Sequence, residues 1–172
     1  MYISKPLTFT KFFMKNTLSY ILVFIFSLGL SLTAQAKQTF TIFQSKPEIQ
    51  HIDLGSPGMS LGDILAFEAS FTTNDRKKGK MLGMVTIVSL PTGPNDPFLD
   101  RIISAVLDFG ENNTLIVGGK SVYNSYQSEI KDNAPQVRAV IGGTGRFIGA
   151  RGQITTSRSA SGNYEHVIQL LD

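Results

Sequence analysis

The chain is 172 residues long, carries 16 Lys and Arg against 13 Asp and Glu, and contains no cysteine. Disulfide bonds, thiolate nucleophiles and cysteine-based metal sites are therefore excluded. Lys5, Lys11 and Lys15 lie within the first 36 residues, so the rest of the chain has equal numbers of basic and acidic side chains. That balance lacks the basic surface on which nucleic-acid binding depends, and no nucleic-acid partner is expected.

The first 36 residues have the pattern of an export signal. Three lysines precede an uncharged apolar run at residues 18–32, and Ala34-Gln35-Ala36 follows as a small-x-small cleavage site. The sequence predicts a signal peptide at 1–36 and one mature domain at 37–172, secreted or periplasmic and without a membrane partner after cleavage. A retained membrane anchor is the alternative, because a run of ~15 apolar residues is just short of a comfortable span.

Eight segments of the mature chain have strand character, and almost none of the chain has helical periodicity. They are residues 38–44, 63–72, 81–90, 99–109, 114–118, 137–141, 147–156 and 164–171. Short strands separated by turn residues predict an all-β domain, either a β-sandwich or an eight-stranded antiparallel β-barrel. The barrel is favoured because closure removes exposed edges and because glycines let its strands bend.

Two turns and one buried strand are predicted within this pattern. Gly110-Glu111-Asn112-Asn113 is typical of a hairpin turn. The basic cluster at residues 76–80 lies between two apolar runs, which favours an exposed hairpin tip over a polyanion site. Residues 81–90 are apolar on both faces, so this strand is expected to be buried on both sides.

Five glycines lie between Val140 and Ile154. The segment does not fit a dinucleotide-binding loop, because position 148, where the third glycine of G-x-G-x-x-G would stand, is Ile148 and no amphipathic helix follows. Strand-like flanks instead predict that the glycines form a bend at one corner of the barrel.

Few side chains suggest metal or nucleophile chemistry. His51 and His166 are the two histidines and are far apart in the sequence, so no metal site and no cofactor are expected. His166 has the same strand parity as Tyr164 and Ile168, which places it toward the barrel interior as a hydrogen-bonded core or rim histidine. Single carboxylates such as Glu48 are more often surface groups, but one in an apolar cavity could stabilise a developing positive charge.

Four motifs resemble the allene oxide cyclase and dirigent protein superfamily, and in order and spacing they cover nearly all of the mature chain. They are E-I-Q-H-I-D-L-G-S-P (48–57), L-G-D-I-L-A-F (61–67), G-M-V-T-I-V (83–88) and G-G-T-G-R-F-I-G-A-R-G-Q-I (142–154). The resemblance implies an eight-stranded antiparallel barrel and a homo-oligomer, commonly a trimer.

The cyclase branch of the superfamily implies a set of site residues. Its cavity glutamate, which stabilises the cation formed as an epoxide opens, falls on Glu48, and Gln50 replaces an asparagine beside a bound water. Ser56 and Pro57 match the serine and proline that hold this water. The resemblance therefore implies catalytic roles for Glu48 and Gln50 and substrate or water binding at Ser56 and Pro57.

Other positions depart from both branches. The second asparagine of the cyclases falls at about Ala69 and their cavity cysteine at about Val85, while Ile148 stands where dirigent proteins carry an additional arginine. Phe67 and Val85 are expected to line the ligand cavity.

The resulting expectation is a secreted barrel that binds a hydrophobic small molecule and guides its cyclisation or isomerisation without a cofactor. Such an enzyme works through orientation and exclusion of water. Two alternatives stay open, because fold does not imply function. One is a non-catalytic carrier of an apolar ligand, and the other is a structural protein whose interior is filled.

Overall fold

Residues 38–90, 98–124 and 129–171 are described in a computed structural model of the chain, so the predicted signal peptide lies outside the described residues. Nine strands occur in these ranges: β1 (Gln38–Gln44), β2 (Glu48–Ile52), β3 (Ile64–Thr73), β4 (Lys78–Ile87), β5 (Phe98–Asp108), β6 (Thr114–Asn124), β7 (Gln136–Gly143), β8 (Gly152–Arg158) and β9 (Tyr164–Leu170). Within the same ranges, no helix is long and apolar enough to cross a membrane.

The strands form one closed antiparallel barrel. Their order is β1-β9-β8-β7-β6-β5-β4-β3-β2, and an additional pairing of β1 with β3 closes the sheet. Because β2 continues the path of β1 along the same edge of β3, the barrel wall has eight strand positions. The predicted eight-stranded antiparallel β-barrel is confirmed. The sequence did not predict β2, which is only five residues long.

Alternation along the strands separates the interior from the outer surface. On β5, residues 101, 103, 105 and 107, which share one parity, are buried. On β4, Met81 and Val85 are buried, but Leu82 and Met84 are 40% and 50% exposed. The expected burial of both faces of this strand is therefore wrong for the single chain, since one face of a barrel wall points outward.

Four phenylalanine rings close one end of the barrel. Phe109 lies 5.1 Å from both Phe71 and Phe147 between ring centroids, and Phe40 contacts Phe109 at 6.0 Å. Phe147 belongs to a 3-10 turn at Gly145–Phe147 rather than to a strand, so the prediction of a strand beginning at this residue is wrong. The turn directs the ring inward to seal this end.

The glycine-rich segment forms the connection between β7 and β8, as the predicted barrel corner required. At Gly152 the backbone has φ +156, and a Cβ atom would lie 2.0 Å from the Gln169 carbonyl oxygen. A side chain therefore does not fit where β8 leaves this corner and meets β9.

Both predicted hairpin turns are confirmed. The Phe109 N–H donates to the Asn113 carbonyl at 2.9 Å, which closes the turn between β5 and β6. The basic cluster lies at and beside the turn from β3 to β4, where Arg76 and Lys77 are exposed. Lys80 Nζ lies 2.5 Å from Glu68 Oε1 across the two strands.

Candidate functional site

The barrel end opposite the phenylalanine cluster contains a cavity of about 50 Å³. Such a volume accommodates about three to five water molecules. The walls come from the C-terminal ends of β1, β6 and β8, the N-terminal ends of β7 and β9, and the inward faces of β3, β4 and β5. Pro47 and Ile49, from the segment around β2, and Ile130, from the segment after β6, complete the wall.

One side of the cavity is apolar because strand alternation places aliphatic and aromatic side chains inward. This side consists of Ile49, Leu65, Phe67, Met81, Val85, Ile103 and Ile130. All seven belong to the hydrophobic core of the barrel or pack against it. An apolar ligand bound against this wall would be removed from water. No polar group of the protein would have to move to make room for it.

The other side carries an ordered row of polar side chains. His166 Nε2 lies 2.9 Å from Gln44 Oε1, and His166 Nδ1 lies 2.9 Å from Thr156 Oγ1. The carboxamide oxygen can only accept, so Nε2 carries the proton and Nδ1 accepts from the threonine hydroxyl. This row fixes the imidazole ring in one orientation and one tautomer.

His166 is held in its neutral form. Burial of the ring lowers its pKa from the ordinary value to about 3, and the positive charge of Arg138 contributes to this decrease. With both ring nitrogens bound to Gln44 and Thr156, the imidazole has no free lone pair for a proton transfer. The expectation of a hydrogen-bonded interior histidine is confirmed.

Arg138 places a guanidinium group in the cavity wall and is 6% exposed. Its Nε–H donates to Ser121 Oγ at 2.7 Å, and its Nη2 donates to Gln136 Oε1 at 3.1 Å. Burial lowers the pKa of this guanidinium, but arginine retains its proton in proteins. The wall of an otherwise neutral cavity therefore carries a positive charge.

Two tyrosines complete the polar side. Tyr164 Oη donates to Glu129 Oε1 at 3.3 Å, and Glu129 Oε2 accepts from Arg158 Nη2 at 3.1 Å. The Tyr123 ring lies 4.1 Å below the guanidinium carbon of the fully buried Arg101. Burial raises the pKa of both phenols above the ordinary value, so both are neutral hydroxyl groups at neutral pH.

This architecture is shared with solved structures of low sequence identity. Pyocyanin demethylase is 20% identical with a TM-score of 0.59, and the match covers 77% of this chain and 99% of that chain. The exo-specific intermolecular Diels–Alderase AbnU is 13% identical with a TM-score of 0.57, over 78% of this chain and 98% of that one. The Diels–Alderase AbmU from Streptomyces koyangensis is 13% identical with a TM-score of 0.55, over 99% of this chain and 83% of that one.

The chain has the closed antiparallel β-barrel fold of these solved structures. No protein-family model matches it, and no curated protein does. The fold predicted from the four sequence motifs is thereby confirmed through three-dimensional similarity.

In this barrel, Glu48 and Gln50 lie outside the cavity. Both are exposed on β2, whereas Ile49 between them lines the cavity wall. Alternation explains the difference, since neighbours in a strand point to opposite faces. Glu48 lies opposite Glu68 of β3 on the outer surface. The expected location of these two side chains inside the cavity is corrected, and their catalytic roles stay predictions.

Ser56 and Pro57 are exposed in the loop between β2 and β3 and do not line the cavity. This loop is organised by Asp63, whose side chain is fully buried. Its carboxylate accepts from the N–H groups of Leu54 (2.9 Å) and Ser60 (2.8 Å). These two hydrogen bonds are the main reason why the pKa of Asp63 lies well below its ordinary value. The motif around Ser56 thus has a structural explanation, and its binding role stays a prediction.

Phe67 and Val85 line the cavity, and their role in ligand binding stays a prediction. The sequence analysis did not single out Gln44, Thr156 or Arg138 of the polar side. Parity could have indicated Gln44, which continues the inward positions Phe40 and Ile42 on β1. It could not decide Arg138, because on β7 the outward residues 137, 139 and 141 are all apolar, whereas the inward face carries Gln136 and Arg138.

Among the described residues, no group of three His, Asp or Glu side chains is arranged to hold a metal ion. His51 Nε2 contacts Asp63 Oδ2 at 3.1 Å, and this pair holds the β2–β3 loop rather than facing the cavity. The polar groups that face the cavity are therefore hydrogen-bond donors and acceptors and one guanidinium.

Proposed function

We propose that the barrel binds a small apolar molecule in this cavity and guides its cyclisation or isomerisation without a cofactor. The observation that carries the proposal is the division of one cavity into an apolar wall and an ordered row of hydrogen-bonding groups. An apolar wall holds a flexible substrate in one compact shape. Part of the binding free energy is then used to keep the reacting atoms of the substrate in the orientation that the reaction needs. The likeness in fold to two Diels–Alderases is consistent with such a role.

Entry of the substrate requires the cavity to widen, because about 50 Å³ is smaller than an organic molecule of ten carbons. The wall segment around β2 is suited to this movement. Among the described strands, β2 is paired with β3 alone, and it supplies Ile49 to the cavity. Outward movement of β2 would open the cavity while the eight-stranded wall remained closed by the pairing of β1 with β3.

The chemistry available in the cavity is polarisation of an oxygen atom. The hydroxyl of Tyr123 and the guanidinium of Arg138 can donate to a carbonyl oxygen and stabilise negative charge that develops there. His166 does not act as a base, because its pKa is about 3 and its lone pair is occupied. The expected contribution of the protein is conformational restriction together with a few positioned donors.

The test uses 1,7,9-decatrien-3-one, a linear trienone that closes slowly to a bicyclic ketone without a catalyst. The purified protein is expected to accelerate ring closure and to give an excess of one enantiomer, measured by chiral chromatography. Val85→Phe fills the cavity from its wall and should abolish this excess. Val137→Phe makes the same substitution at an exposed position of β7 that does not line the cavity, and it should retain the excess.

A non-catalytic carrier is the second candidate, since the same apolar wall would hold a ligand without changing it. N-phenyl-1-naphthylamine, an uncharged fluorescent probe, distinguishes the two. Probe binding that Val85→Phe removes, together with a racemic product formed at the uncatalysed rate, would establish a carrier. Absence of both probe binding and turnover would refute the proposed cavity function.

We further propose that the chain is exported after cleavage at Ala36 and assembles as a homotrimer. The export signal at 1–36 supports the first proposal, and N-terminal sequencing of the mature protein tests it. The exposed apolar side chains Leu82, Met84 and Ile102 on β4 and β5 support the second. Sedimentation equilibrium should show three copies for wild type and a smaller species for Met84→Glu.

A further inference from the structure

The guanidinium of Arg138 is buried without a carboxylate partner among the described residues. The side chain is 6% exposed, and its two protein acceptors, Ser121 and Gln136, are both uncharged. Two of its five N–H donors are used in these bonds, and three have no protein acceptor in the described part of the chain. Burial of a charge that lacks a counter-ion is costly, so an opposite charge brought by a ligand would be strongly stabilised.

The other groups that face the cavity do not supply this negative charge. The pKa values of Tyr123 and Tyr164 are raised by burial and that of His166 is lowered, so all three side chains are neutral at pH 7. Glu129 lies beside Tyr164, but its carboxylate is paired with Arg158 at 3.1 Å. Within the described ranges, the cavity wall therefore has a net positive charge.

We propose that the natural ligand is a small apolar carboxylic acid whose carboxylate pairs with Arg138. Two parallel N–H donors of a guanidinium match the two oxygens of a carboxylate, and the bonds to Ser121 and Gln136 hold the guanidinium plane in a fixed orientation. The hydrocarbon part of the acid then lies against the apolar wall formed by residues such as Leu65, Phe67 and Ile103. This inference rests on the proposed function of the cavity and names its substrate class.

The test compares trans-cinnamate with trans-cinnamamide, which have nearly the same shape and differ in charge. Isothermal titration calorimetry at pH 7 and fixed ionic strength should show that wild type binds the acid at least tenfold more tightly than the amide. Arg138→Met, which keeps the length of the side chain, should weaken cinnamate binding at least tenfold and change cinnamamide binding less than threefold. Arg146→Met is the matched control, because it removes one exposed arginine at the opposite end of the barrel.

The outcomes separate the substrate class from the cavity function. Equal affinity of wild type for the acid and the amide would overturn the carboxylate assignment and leave apolar binding intact. No binding of either ligand would overturn both. If Arg138→Met does not fold by circular dichroism, the wild-type comparison decides alone, and Arg138→Lys, which keeps the charge but not the planar fork, should show an intermediate preference for the acid.

Discussion

Acidification is expected to destabilise the barrel mainly through His166. The folded protein keeps this ring neutral to a pKa of about 3, because the ring is buried and because the positive charge of Arg138 lies close by. In the unfolded chain the same ring takes up a proton near its ordinary value of 6.5. Between these two values the unfolded state binds one more proton than the folded state, so stability falls as the pH falls.

The magnitude follows from the two pKa values. From pH 7.0 to 4.5 the unfolded state gains about 2.5 kcal/mol relative to the folded state, at about 1.36 kcal/mol for each pH unit below 6.5. For one domain of this size, such a change lowers the melting temperature by roughly 10 °C. Asp63 contributes little in this interval, because its pKa is depressed from 3.8 and its stabilisation is lost only at lower pH.

The assay is urea unfolding followed by circular dichroism at pH 7.0 and 4.5, with ionic strength held constant. The chain lacks tryptophan, so circular dichroism is preferred to intrinsic fluorescence. His166→Gln removes the titrating group but keeps an amide that can bond to Gln44, and it should lose about 2.5 kcal/mol less than wild type over this interval. His51→Gln is the matched control, since His51 is the second histidine of the chain and is exposed.

The reasoning would be refuted if wild type and His166→Gln lost the same free energy of unfolding between the two pH values. It would also be refuted if His51→Gln, rather than His166→Gln, removed the acid sensitivity.

Three further predictions concern stability. Asp63→Ala removes the acceptor of two loop N–H groups and should increase chymotrypsin cleavage in the loop after β2; an unchanged cleavage rate would contradict the structural explanation of that loop. Gly152→Ala should lower the free energy of unfolding by about 2 kcal/mol or more, because its Cβ would overlap a carbonyl oxygen of β9. Gly149→Ala is the control, since a Cβ there has open space around it, and it should lower the free energy of unfolding by about 1 kcal/mol. Leu107→Ala at a fully buried position should cost about 2–5 kcal/mol in urea unfolding, against less than about 0.5 kcal/mol for Ile141→Ala on the exposed face of β7.

The sequence predicted the strands of the barrel wall better than the side chains that face the cavity. Parity placed His166 inside correctly, because a side chain in a strand has only two faces to choose from. The same rule was not applied to residues 48–52, where the assignment followed a family resemblance, and there Glu48 and Gln50 point away from the cavity. A strand of five residues, in which Glu48 and Gln50 share one face with Ile52, carries too weak a period to predict an edge strand such as β2.

By itself, the sequence determined the all-β class, the eight strand positions in the barrel wall, the two hairpin turns and the glycine-rich corner. These features depend on local rules of alternation, turn chemistry and backbone freedom, which act over a few residues. Only the tertiary structure decided which polar side chains share the cavity, because Gln44, Thr156 and His166 come from three strands whose contact depends on closure of the barrel. The positive charge of Arg138 became a candidate binding determinant for the same reason, since barrel closure buries it beside neutral partners.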